Sequence, residues 1–133
     1  MNNIIFDLEE VIFPEFYTRK DNKGNEYVFI KTSEEVNNQT IVFQKDKTAF
    51  EAFENHIHLW EKIKKKDQEK YKNLGFKIAQ NLKTKLNTDF PNKQFVVFLE
   101  LNFEESSIIR FHQIWNGEPL YFDVKEFSNI YKF

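Results

Sequence analysis

No cysteine occurs among the 133 residues, which excludes disulfides, thiolate metal sites, iron–sulfur clusters and cysteine nucleophiles. Arginine is almost as scarce, confined to Arg19 and Arg110, so positive charge rests on lysine, which lacks the planar fork that grips phosphate. The three glycines, Gly24, Gly75 and Gly117, stand too far apart for a Walker or dinucleotide loop. Proline is equally rare, at positions 14, 91 and 119, and no linker, repeat or low-complexity stretch divides the chain. One domain over residues 1–133 is therefore expected. No run approaches the roughly 20 apolar residues of a membrane span. The opening MNNIIFDLEEVIF lacks a basic n-region and is broken by Asp7, Glu9 and Glu10, unlike a signal peptide. These absences lead to an expectation of a cytoplasmic protein that does not engage membranes.

What the chain has in quantity is phenylalanine, sixteen residues of it within a 17% aromatic content. Rings of that size bury large apolar areas, so a bulky core is expected beneath a surface that is 30% charged, with mean hydropathy of −0.63. The net charge of −2 supplies no global attraction toward nucleic acid. Abundant lysine, asparagine, isoleucine and phenylalanine resemble the product of an AT-rich bacterial gene.

Residues 4 to 13 suit a short helix ending before Pro14. EFYTRKDNKGNEYVFIKT reads as a hairpin with its tip at Asp21 to Asn25, residues that tolerate positive φ. QTIVFQ, residues 39 to 44, suits a third strand. Asp46 can cap a helix over 47 to 56 with Ala49, Phe50 and Phe53 on one side. A longer helix begins at Asp67 and stops before Pro91. Its apolar stripe is Tyr71, Leu74, Ile78, Leu82 and Leu86, with Gly75 and Ala79 permitting close approach to a sheet. KQFVVFLELNF alternates Phe95, Val97, Leu99, Leu101 and Phe103 on one face, and SIIRFHQIW alternates Ile109, Phe111, Gln113 and Trp115. Asn116-Gly117 turns the chain into a strand over 120 to 123, followed by a terminal helix over 124 to 131. The order β-β-β-α-α-β-β-β predicts an α+β fold, an antiparallel sheet of about five or six strands with helices packed on one face.

Burying Phe103 and Phe111 together predicts residue 103 opposite 109 and 101 opposite 111. That register places Glu100, Asn102, Arg110 and His112 in one cross-strand cluster. A carboxylate beside a histidine is minimal equipment for proton transfer, with Arg110 to hold an anion. The same four residues also make an ordinary salt-bridged sheet face, and Ser106-Ser107 lacks the glycines of a nucleophile elbow. The cluster is the alternative polar site, for small-molecule, metal-binding or enzymatic use.

The sequence FENHIHLWEK sets His56 and His58 one residue apart. They align only if the stretch is extended, and with His112 they are the one alternative metal set in a chain expected to hold no metal and no cofactor. The order His-x-His-x-x-Glu resembles the cupin metal motif, with the glutamate one residue short and the glycines missing. The steps Phe53, Ile57 and Trp60 favour a helix through this stretch, on which the histidines diverge and are structural. The lysine run KIKKKDQEKYK is interleaved with Glu61, Asp67 and Glu69 and reads as a solvated helix face, not a nucleic-acid surface.

IWNGEPLYFDV gathers Trp115, Tyr121 and Phe122 around a turn, with Glu104, Glu105, Glu118 and Asp123 as an acidic ring suited to a basic partner. A small, acidic, cysteine-free α+β chain with no catalytic motif resembles in type the immunity proteins that neutralise bacterial toxins. That resemblance implies a non-enzymatic, antitoxin-like protein-binding domain whose partner is a basic toxin domain, acting as monomer or homodimer.

Overall fold

The computed structural model describes residues 8–37 and 41–133. Residues 8 to 12 are helical and stop before Pro14, as predicted; the rest of the helix expected from residue 4 lies outside the described residues. Strands β1 (Phe16–Lys20) and β2 (Glu26–Ile30) form the predicted antiparallel hairpin. Its tip closes where Gly24 takes a φ of +84° and Asp21 Oδ1 accepts from the Lys23 and Asn25 amides at 2.9 and 3.0 Å.

Helix α1 (Lys47–Glu54) is capped by Asp46, whose carboxylate accepts from the Ala49 amide. It runs directly into strand β3 (His56–Trp60). A 3-10 turn at Lys65–Asp67 precedes the long helix α2 (Gln68–Asp89). Strands β4 (Phe95–Glu100), β5 (Ser107–Gln113) and β6 (Ile130–Lys132) complete the set. The fold is α+β, with one two-stranded and one four-stranded antiparallel sheet, the latter in the order β3-β5-β4-β6. No helix among the described residues is long and apolar enough to cross a membrane.

One face of the four-stranded sheet carries Phe95, Val97, Leu99, Ile109 and Phe111, packed with Ile78, Ala79, Leu82 and Leu86 of α2 and with Val28 and Ile30 of the hairpin. At Gly75 the helix approaches the sheet closely. A Cβ there would lie 3.1 and 3.4 Å from the two Leu99 methyls, so the absent side chain sets the interlayer distance. Leu74, expected on the buried stripe, sits at its margin and is partly exposed.

Several expectations need correction. The alternation along β4 and β5 holds, but the register differs from that expected: Val97 faces Phe111, Leu99 faces Ile109 and Phe98 faces Arg110. The shift is even, so each residue keeps its predicted face while its partners change. Asn102 leaves the strand because its side chain accepts from the Glu104 and Glu105 amides and closes a turn. Residues 120 to 123 form no strand, and the terminal helix is replaced by a 3-10 turn at Val124–Glu126 and then β6. Leu120, Phe122 and Val124 instead pack on Val96, Phe98 and Ile130, covering the second face of the sheet. Of the predicted strand over 39 to 44, residues 39 and 40 lie outside the described residues, and Ile41 makes only a single bridge to Asp21. From β1 onward the element order is therefore β-β-α-β-α-β-β-β.

Helix α1 also turns differently from the expectation. It buries Thr48, Glu51 and Ala52, while Phe53 is 62% exposed. Glu51 and Asn55, one helical turn apart, reach the outer edge of β2. Glu51 Oε2 accepts from the Val28 amide at 2.9 Å, Asn55 Oδ1 accepts from the Ile30 amide at 2.9 Å, and Asn55 Nδ2 donates to the Val28 carbonyl at 2.8 Å. Gln113 Nε2, at the end of β5, donates both to the Glu26 carbonyl and to Glu51 Oε2. Side chains thus complete the edge ladder of β2 and tie the hairpin to the larger sheet.

Candidate functional site

The second face of the sheet holds the polar residues singled out in the sequence, under the segment that returns from Asn116-Gly117. Arg110 is almost fully buried. Its Nε donates to Glu100 Oε2 at 2.6 Å, and its guanidinium lies 5.0 Å from the Tyr121 ring centroid and 5.6 Å from that of Phe122. The ion pair forms although the two residues are diagonal neighbours, not opposite ones. A guanidinium held this way supports two rings at once. Phe122 also meets Phe98 edge-on at 5.3 Å, Tyr121 at 4.8 Å and Phe127 at 5.5 Å.

His112 does not join Glu100. It is fully buried opposite Val96, where Nδ1 donates to the Gln113 carbonyl at 2.7 Å and Nε2 accepts from the Tyr121 amide at 3.1 Å. These partners fix the neutral Nδ1–H tautomer. Burial pushes its pKa down, against the opposing pull of the Gln113 carbonyl and the charges of Glu118 and Asp46. With both nitrogens engaged, His112 anchors the backbone at Tyr121 and has no free position for proton transfer. Asn102 is committed to its own turn. The expected cluster therefore reduces to the Glu100–Arg110 pair, with Asn102 and His112 elsewhere.

The residues proposed from the sequence for partner contact divide into three groups. Tyr121 is 39% exposed, Phe122 is half-buried beside it, and Asp123 is exposed while accepting from the Lys125 amide at 3.1 Å. Trp115 and Glu118 are engaged internally. The Trp115 indole donates to Glu51 Oε1 at 3.0 Å and packs 5.2 Å from the Tyr27 ring. Glu118 accepts from the Thr48 amide and hydroxyl, both at 2.7 Å, and pairs with Lys47 at 3.1 Å. Burial raises its carboxyl, but these bonds outweigh burial and hold it below the usual range. Glu104 and Glu105 are exposed in the β4–β5 connection, at the opposite end of β5 from Trp115, so the acidic residues do not form one ring.

The stretch HIHLW is a strand, contrary to the helix expected there. Helix α1 ends because Asn55 is drawn into the β2 edge, and the chain beyond pairs with β5. Ile57 and Leu59 turn inward, while His56 and His58 share the other face, with ring centroids 5.6 Å apart. His112 does not complete a set with this pair: it is sealed in the interior, and among the described residues no three His, Cys, Asp or Glu side chains converge on a metal position.

Glu51, missed in the sequence, is held by four hydrogen bonds. It is fully buried. Its Oε1 accepts from the Gln113 amide at 2.5 Å and from the Trp115 indole, and its Oε2 accepts from the Val28 amide and from Gln113 Nε2 at 2.7 Å. Burial pushes its carboxyl up to about 7, with the four N–H donors opposing that rise. A glutamate on a short amphipathic helix reads as a solvent-facing residue. The only sequence signal against that reading is its spacing, between Thr48 and Ala52 and four residues before Asn55.

Residues 3–131 match the Uncharacterized protein PM0498 family, and the chain belongs to that family. No curated protein and no solved structure matches it.

Proposed function

We propose that this PM0498-family chain is a non-enzymatic protein-binding domain of the immunity or antitoxin kind, acting in the cytoplasm and docking a basic partner on the aromatic face between Ile114 and Phe127. The observation that carries this reading is the ring series Tyr121–Phe122–Phe127. Tyr121 is 39% and Phe127 43% exposed, yet the series is fixed from beneath by Arg110 and Phe98. Rings already held in place lose little conformational freedom on binding, and such anchors dominate interface energies. Asp123 and Glu126 border the series and are exposed, which favours encounter with a positively charged surface. The placement of Trp115 and Glu118 inside the fold narrows the surface to Tyr121, Phe122, Asp123 and Phe127.

The test is co-expression with the product of the adjacent gene, scored as protection from toxicity and as co-purification. Tyr121→Ala and Phe127→Ala are expected each to weaken the complex by about 2 kcal/mol. Phe13→Ser is the control. Phe13 is 75% exposed on the α2 side of the molecule, in a groove shared with Leu74, Lys77 and Asn81. Loss of binding in Phe13→Ser alone would move the interface to that groove. A neighbouring product that neither binds nor is neutralised would remove the reading.

A further inference from the structure

We infer that His56 and His58 form a two-histidine chelating site for a divalent transition-metal ion of the copper, nickel and zinc class, on the outer face of strand β3. This inference is independent of the protein-binding reading. Its basis is a set of positions that extended backbone alone can provide. Side chains at i and i+2 of a strand project from the same face, and here the two imidazoles meet edge to face, with centroids 5.6 Å apart and an interplanar angle of 72°.

The ring nitrogens carry the argument further. His56 Nδ1 lies 2.5 Å from the Phe53 carbonyl. A carbonyl only accepts, so Nδ1 bears the proton and the Nε2 lone pair is free to bind. His58 Nδ1 lies 2.8 Å from Ser106 Oγ, which can accept in the same sense and leave its Nε2 free as well. A ligating histidine characteristically donates its other ring N–H to a carbonyl or similar acceptor, which fixes the tautomer and raises ligand basicity. Both histidines already have that support. Metal–nitrogen bonds of about 2.0–2.1 Å require the two Nε2 atoms to lie within about 4 Å of each other, so chelation turns the rings out of their edge-to-face contact.

The positive charge beside the pair is offset by a carboxylate. Arg110 lies opposite His56 across the β3–β5 pair, but its charge is directed into the Glu100 ion pair. Among the described residues no third His, Cys, Asp or Glu completes the set, so water fills the remaining positions and an open, exchangeable site results. Imidazole ligation selects the borderline transition metals, with Cu²⁺ bound most tightly, and not Mg²⁺ or Ca²⁺, which take oxygen donors.

The experiment is titration of the tag-free chain with Cu²⁺, Zn²⁺ and Mg²⁺, followed by calorimetry and by NMR of the histidine ring signals. One equivalent of Cu²⁺ is expected, with the His56 and His58 resonances broadened before those of His112. His56→Gln and His58→Gln should each lower affinity by about tenfold or more, and Ser106→Ala by no more than about tenfold. Both histidines lie at the surface, and circular dichroism of each variant confirms that it is folded. Undiminished Cu²⁺ binding in the His56→Gln/His58→Gln double variant, broadening that starts elsewhere, or equal competition by Mg²⁺ would each overturn the assignment.

Discussion

Replacing Glu51 with alanine tests whether the molecule is organised around one buried carboxylate. The substitution leaves four donors without their acceptor: the Val28 amide, the Gln113 amide and side chain, and the Trp115 indole. At about 1–3 kcal/mol for each orphaned buried group, the combined cost is about 8 kcal/mol. Against this stands relief from keeping a charge in the interior. The carboxyl is raised from an ordinary 4.5 to about 7, and at 1.36 kcal/mol per unit that relief is about 3 kcal/mol. Donor loss wins, leaving a net destabilisation of about 5 kcal/mol, similar to the whole stability of a small domain. Glu51→Gln keeps the volume and one acceptor but turns an NH₂ group toward two of the donors, so about half that loss is expected. Urea unfolding followed by tryptophan fluorescence measures both variants, and NMR of the Trp115 indole N–H and Gln113 amide reports the local bonds. A Glu51→Ala protein within about 0.5 kcal/mol of the parent, the range of ordinary surface substitutions, would refute the reasoning.

Further expectations concern the sheet and its second face. Gly75→Ala gains about 1 kcal/mol of helix propensity but presses on the fully buried Leu99; because Leu99 has nowhere to retreat, a net loss of about 1 kcal/mol is expected, and a raised melting temperature would refute the close-approach argument. Arg110→Met leaves Glu100 unpaired and removes the guanidinium beneath Tyr121, which should cost about 2 kcal/mol while accelerating hydrogen exchange at the Tyr121 amide; unchanged exchange would separate the ion pair from the aromatic surface. The lowered pKa of His112 means that the unfolded chain takes up a proton more readily, so its contribution is intact above about pH 6.5 and is lost as pH falls below that value. Glu51, with a raised pKa, acts in the opposite direction, its contribution falling as pH rises from 4.5 to about 7. Comparing unfolding free energies of the parent and His112→Gln between pH 7.5 and 5, both chosen to bracket about 6.5, should show the shallower acid loss in the variant; a steeper one would contradict the sign.

What could be read from the sequence was whatever a repeating period controls. The stripe Ile78–Leu82–Leu86, the alternation through β4 and β5, the hairpin tip at Gly24 and the small residue at Gly75 all impose a local geometry that the tertiary structure keeps. The register of β4 on β5 was different because it rested on burying Phe103. That residue packs beyond the strand end, where its carbonyl accepts from the Ile63 amide and Asn102 closes a turn. FENHIHLWEK carries both a helical stripe and a strand alternation, and short apolar runs do not separate the two. The choice was made by Asn55 bonding to β2, a partner 25 residues away for its contact with Ile30. The polar cluster was half legible: face assignment brought Glu100 to Arg110, whereas His112 was taken by the backbone of a segment that sequence pattern had made a strand. Glu51 was hidden because a buried acid on a helix has the same local pattern as an exposed one.

The sealed edge of β2 has a consequence for the behaviour of the chain in crowded solution. An exposed strand edge offers backbone groups that any other extended chain can match, which is a route to intermolecular sheet growth and fibres. Here the amide and carbonyl groups of the alternate β2 positions are met by Glu51, Asn55 and Gln113, side chains that no incoming strand displaces without first pulling α1 off the sheet. YVFIK, with its high strand propensity and single charge, is thereby withheld from templated assembly, and the helix serves as a lid over the most aggregation-prone segment of the hairpin.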